Sequence, residues 1–163
     1  MSKHKEEKTN VMRVLEQKKI AYTAHTYPHE EGMAVDGVTV AKSMGFDPAI
    51  VFKTLVARGA SKQYYVFDVP VAENLDLKKA AKAVGEKSIE MIHQKELLPL
   101  TGYVHGGCSP VGMKKLFPTV FHETAENLET MIVSAGKIGY QVELAPHDLA
   151  ALVRAKFADI IVE

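Results

Sequence analysis

A lysine stands inside an apolar run, Val51-Phe52-Lys53-Thr54-Leu55-Val56, whose β-branched and aromatic content is that of a strand. Strand alternation puts Lys53 on the face of Val51 and Leu55, with Thr54 free to turn to the other side. An unpaired ammonium is costly to bury, so a lysine there needs a partner or a lowered pKa. Alternatively, its stem packs at a sheet rim while its head reaches water. Periodicity leaves the rim lysine and the site lysine both open. The second feature is Gly106-Gly107-Cys108-Ser109-Pro110. Paired glycines ahead of a helix start expose backbone N–H groups to a carboxylate, a phosphate or the oxyanion of acyl transfer. The same glycines could equally serve a tight turn that needs positive φ. Ser109 followed by Pro110 predicts a helix start, serine as N-cap and proline at the first helical position.

Other patterns carry less. The glycines at 107 and 112 have phosphate-loop spacing, but Met113 stands where that loop needs lysine. Ser134-Ala135-Gly136-Lys137 reads as a strand end entering a hairpin. Cys108, at a helix N-terminus, would have a depressed pKa, yet only His105 lies near it in sequence as a base. The seven histidines form no metal pattern: His25 and His29 are separated by Pro28, and His122-Glu123 lacks the second histidine of a zinc-protease helix.

These residues must be held by elements that the sequence also outlines. Helices are expected over 10–19, 38–44, 77–84 (capped by Asp76, stopped by Gly85), 94–100 and 146–154. Strands are expected over 20–27, 89–92, 119–122, 131–134, 140–144 and 159–162, and a hairpin over 51–57 and 63–69. Hairpins interleaved with helical crossovers predict an α/β fold with a mixed, curved sheet. The 163 residues suit one domain, 1–163, with the polar residues 1–8 frayed. Twenty basic residues balance twenty acidic ones, so any grip on nucleic acid is weak or borrowed from a partner. One cysteine forms no intramolecular disulfide, and no apolar run approaches the roughly 20 residues of a membrane span, so a reducing cytoplasm is expected and no membrane partner.

Taken together in order, Asn10-Val11-Met12-Arg13-Val14-Leu15-Glu16, His25-Thr26-Tyr27, Val51-Phe52-Lys53-Thr54-Leu55, Pro70-Val71-Ala72, Leu75-Asp76-Leu77-Lys78-Lys79, Thr101-Gly102-Tyr103, Gly106-Gly107-Cys108-Ser109-Pro110, Ser134-Ala135-Gly136-Lys137 and Phe157-Ala158-Asp159-Ile160 resemble the YbaK/EbsC family. The resemblance implies a freestanding relative of the editing domain of bacterial prolyl-tRNA synthetase, with a barrel-like mixed sheet surrounded by helices. It implies an aminoacyl-tRNA deacylase that clears cysteine from tRNA(Pro), and from other cysteinyl-tRNAs, with no metal or organic cofactor and prolyl-tRNA synthetase as a candidate partner. The substrate cysteine's own thiol would attack its ester and leave as a thiolactone, whether the step is classed as hydrolase or lyase. An alanyl-tRNA(Pro) deacylase and a non-catalytic regulatory protein of the EbsC type are the alternatives within the resemblance.

Carried over residue by residue, the family's essential lysine is Lys53. Tyr27, Thr54, Gly106, Gly107 and Ser134 would line the substrate pocket. Gln141 is a departure, since an acid is expected there, and Glu143 two residues on is the candidate substitute. Lys53 would orient the ester through charge-assisted hydrogen bonds, and Gly106 or Gly107 would donate a backbone N–H to the oxyanion.

Overall fold

The computed structural model describes residues 8–30 and 33–163. The expected fraying of residues 1–8 falls outside them except at Lys8, whose ammonium meets Glu16 at 2.8 Å. In chain order the elements are α1 (Asn10–Gln17), β1 (Thr23–Thr26), α2 (Gly37–Ser43), β2 (Phe52–Gly59), β3 (Tyr64–Pro70), α3 (Leu77–Val84), β4 (Ile89–Met91), α4 (Gln94–Thr101), β5 (Thr119–His122), β6 (Met131–Ser134), β7 (Tyr140–Leu144), α5 (Pro146–Val153) and β8 (Ala155–Ala158). Most begin and end where local chemistry directs. The Asp36 carboxylate accepts the Thr39 N–H and starts α2, and Asp76 takes the Lys78 and Lys79 N–H groups at the head of α3. Gly85, at φ 74°, ends α3 in the left-handed conformation a side chain would resist.

Two sheets form. One is antiparallel with order β1-β7-β6; the other is mixed with order β4-β2-β3-β5-β8, antiparallel through β4, β2 and β3 and parallel from β3 to β8. A parallel bridge between Val51 and Ile132 joins them, so the β-structure curves without closing. The mixed, curved sheet expected from the sequence is what forms. Apolar side chains fill both sides of the bend: Val11, Leu15, Met131, Val133 and Leu149 in one cluster, Phe67, Val69, Ala80 and Ile160 in another.

Two expectations fail. No helix follows Ser109-Pro110; Ser109 Oγ instead accepts the Val111 N–H at 3.2 Å, closing a small turn. Gly112, at φ 80°, turns the backbone out of the right-handed helix before a first turn is complete, so the capping residues have nothing to cap. The last strand is β8 at 155–158, not 159–162, where Ile161 makes only an isolated bridge to Leu75. Both stretches are rich in apolar residues, and the parallel pairing with β5 selects the earlier one.

The Asp76 cap offers a test of this local reasoning. Asp76→Ala removes an acceptor shared by two orphan N–H groups and should cost about 1 kcal/mol in urea unfolding, with the m-value unchanged.

Candidate active site

β2 pairs with β3 along its whole length but with β4 only from Ala57 to Gly59. Between the Val51 bridge and Ala57, the other edge of β2 has no strand partner among the described residues. A cavity of about 490 Å³ borders every residue from Val51 to Leu55, within the roughly 300–1,000 Å³ usual for small-molecule sites. Alternation alone would have sent Lys53 and Thr54 to different places, but both border this space.

Lys53 is half-buried, and no ion pair or hydrogen bond holds its ammonium among the described residues. Burial pulls its pKa below the ordinary lysine value, opposed by the negative charges of Asp36 and Glu73. The rim reading therefore gives way to a cation at a cavity wall. Tyr27 from the end of β1, Ser134 from β6, Gln141 from β7 and Gly106 complete much of the lining. Of the residues carried over by resemblance, only Gly107 stays outside it. The Gly107 N–H donates to the Val104 carbonyl at 2.9 Å, so it has no proton for a substrate oxyanion. The Gly106 N–H has no acceptor among the described residues. Gly106 is at φ 90°, and a Cβ there would lie 2.6 Å from the Ala34 Cβ; both facts require glycine.

Gln141 is central in its sheet, opposite His25 of β1 and Ser134 of β6, and its side-chain oxygen is buried without a partner among the described residues. Glu143 does not substitute for the expected acid. It accepts the Thr130 hydroxyl at 2.5 Å and meets His25 at 2.8 Å, bonds that lower its pKa against the opposing effect of burial, and it does not line the cavity. Ser134 Oγ accepts the Gly136 N–H at 3.0 Å, which helps shape the hairpin while the residue still borders the cavity.

The aminoacyl-tRNA editing domain family matches residues 29–152. The chain belongs to that family. A protein of Enterococcus faecalis named EbsC, with a proposed Cys-tRNA(Pro)/Cys-tRNA(Cys) deacylase activity, is 45% identical over 98% of both chains. A solved structure described as a proposed trans-editing enzyme for prolyl-tRNA synthetase is 25% identical, with a TM-score of 0.78 over 94% of this chain and 95% of that one. A hypothetical protein 18% identical shares the fold at a TM-score of 0.82, over 93% of this chain and 99% of that one. The resemblance to the YbaK/EbsC family, and the editing-domain fold it implied, hold.

Behind the wall of this editing domain lies a residue that the sequence reading passed over. Asp68 of β3 is fully buried, sits directly opposite Thr54 and accepts its hydroxyl proton at 2.5 Å. Burial pushes the Asp68 carboxyl up to about 7, with the Thr54 bond opposing, and its second oxygen has no partner among the described residues. The signal was available: an acid in Tyr64-Tyr65-Val66-Phe67-Asp68-Val69 is as anomalous as Lys53 in β2. Asp36 and His105, also in the lining, stand in loops where polar residues carry no such signal. Cys108 is buried near Asp68, and burial, then that carboxylate, push its thiol up to about 12. The depressed pKa expected from a helix N-terminus is overturned, because the helix is absent and the apolar surroundings disfavour a thiolate. Among the described residues no cluster of three or more His, Cys, Asp or Glu could hold a metal ion, and no helix is long and apolar enough to cross a membrane.

Two outcomes follow from these burials. Cys108 in the native protein should react with iodoacetamide at pH 8 at least tenfold more slowly than in urea, its buried thiol being largely protonated. Asp68 is neutral below its raised pKa, so the folded chain binds a proton the unfolded chain has lost between about pH 4 and pH 7. Stability from this residue therefore falls as pH rises through that window. The difference in unfolding free energy between Asp68→Asn and wild type should shift in favour of the variant from pH 5 to pH 8.

Proposed function

We propose that this editing domain is an aminoacyl-tRNA deacylase that removes cysteine from tRNA(Pro) and other cysteinyl-tRNAs, with residues 1–163 working as one catalytic domain. The observation that carries the reading is the unpaired, half-buried Lys53 ammonium bordering the same cavity as the uncommitted Gly106 N–H. Two separate donors at one cavity suit a polar ester whose oxygens gain charge during cleavage. The name and identity of the E. faecalis relative support cysteine as the amino acid removed.

In the proposed reaction the acceptor end of the tRNA enters the cavity with its aminoacyl ester beside Lys53. The ammonium donates charge-assisted hydrogen bonds to the ester and the terminal ribose, which fixes them against the β2 edge. The substrate thiol sulfur attacks its own carbonyl carbon, and the Gly106 N–H stabilises the oxygen that becomes negative. As the carbon–oxygen ester bond breaks, the thiol proton ends on the departing ribose hydroxyl and the amino acid leaves as a thiolactone. No protein nucleophile is needed, which accords with a Cys108 thiol held protonated. Tyr27, Ser134 and Gln141 complete the walls around the amino acid and ribose. Gln141 stands where an acid would have paired with the substrate amine, and its neutral amide forms no such ion pair.

The physical need is for a second sieve. A pocket shaped for proline discriminates against cysteine by only about 1–3 kcal/mol, so errors must be cleared after charging. The balanced charge of the chain suits a tRNA grip shared with a synthetase, for which prolyl-tRNA synthetase is the proposed partner in the cytoplasm.

Release of labelled amino acid from cysteinyl-, alanyl- and prolyl-tRNA(Pro) tests the reading. Wild type should deacylate the cysteinyl substrate, and Lys53→Ala should lower kcat/KM about 100-fold or more. Release of alanine alone would move the substrate, and no release from any would leave a non-catalytic binder. Activity that depends on the ammonium should fall on an alkaline limb below that of an ordinary lysine. Asp36→Asn and Glu73→Gln remove charges that hold the proton on Lys53, so each should move that limb to still lower pH in profiles corrected for uncatalysed hydrolysis.

A further inference from the structure

Thr54 has one hydroxyl proton, and that proton is given to Asp68 across the β2–β3 ladder. Toward the cavity the threonine can then present only lone pairs. This holds with Asp68 ionised, and with Asp68 neutral when its second oxygen, without a partner among the described residues, carries the proton; a proton on the first oxygen would reverse the bond and release the hydroxyl as a donor. The neighbouring wall is apolar: Leu97 and Cys108 belong to one packed cluster, and both border the cavity. The adjacent residue, Lys53, carries a positive charge without an ion-pair partner among the described residues. A second cation would be repelled there and would find one hydroxyl acceptor for three protons. A small, neutral side chain with a single donor meets neither penalty.

We infer that Asp68 is a positioning residue that fixes the Thr54 hydroxyl as the acceptor for the thiol S–H of the esterified cysteine. This inference rests on the deacylase reading and adds a source of specificity to it. An isostere carrying methyl in place of the thiol would leave the threonine oxygen facing a group that cannot donate, and the site would bind it less well. The arrangement also orients the sulfur by a bond that breaks as the thiol gives up its proton.

The test uses two non-hydrolysable ligands, cysteinyl adenosine joined through an amide and its aminobutyryl counterpart, which differ only in thiol against methyl. Their affinities for the full chain are measured by calorimetry, alongside deacylation of cysteinyl-tRNA(Pro). Wild type should prefer the cysteinyl ligand about fivefold, the size of one neutral hydrogen bond. Thr54→Val should bring that ratio to about one, and Thr54→Ser should keep it. Asp68→Ala should lower the ratio when Thr54 is present and leave it unchanged when position 54 is valine, a non-additivity that a merely structural acid would not give. Thermal unfolding checks that each variant folds; if Asp68→Ala does not, the Thr54 variants still decide. An active wild type with no preference, or a Thr54→Val protein that keeps the preference, overturns the inference while the deacylase reading stands. A folded Asp68→Ala that keeps the full ratio removes Asp68 from it. A wild type that neither binds these ligands nor releases amino acid overturns both.

Discussion

The register of β2 on β3 is the constraint on which the site depends. Phe52 to Arg58 pair with Pro70 to Tyr64 in reverse, which sets Thr54 against Asp68 and Lys53 against Val69. A slip of one residue would send every side chain of β2 to the opposite face. Lys53 would then lose its place at the cavity wall and Thr54 its buried partner. The register is pinned by apolar residues on both faces, Val56 and Val66 packing in one cluster and Ala57 and Phe67 in another. β3 is paired on both sides, with β2 and β5, so a slip would break two ladders at once. Chemistry and core packing are therefore specified by the same ladder.

The two buried charges adopt opposite solutions to the same cost. Lys53 stays half-exposed to the cavity, with Asp36 and Glu73 acting on it from a distance. Asp68 is sealed, bonded through one oxygen, and shifted toward its neutral form. Had the two met as a salt bridge, the attraction would have offset much of their desolvation. It would also have spent the lysine on the protein. Adjacent strand residues facing different ways keep them apart.

Much of this architecture was legible in the sequence because local signals agreed with tertiary ones. Asp76 and Gly85 bound α3 where capping chemistry says they should, and the β2–β3 hairpin follows from two β-rich runs around Gly59. The failures have one kind of cause. Ser109-Pro110 is a good local signal, but Gly112 leaves the helical region before a helix can propagate. Gly107 looked like an oxyanion donor until its N–H was found committed to Val104, a contact no spacing reveals. Glu143 shares strand parity with Gln141, yet His25 and Thr130 hold it away from the cavity. Lys53 drew notice as a charge among apolar residues; Asp68, the same anomaly one strand over, needed the register to give it meaning.

The free edge of β2 has a bearing on how the molecule behaves among its own copies. An unpaired strand edge is a template on which another extended chain can add, and proteins blunt such edges by keeping them short, charged or covered. Here, among the described residues, the stretch without a strand partner runs only from Val51 to Val56, whose carbonyl accepts the Ile92 N–H, with a lysine near its middle. Gly106, packed close to Ala34, brings two loops together over the cavity that borders it. The charge proposed to hold an ester is thus also the kind of charge that discourages strand addition. Replacing Lys53 with an apolar residue would remove a gatekeeper as well as a ligand group, making self-association a second expected loss.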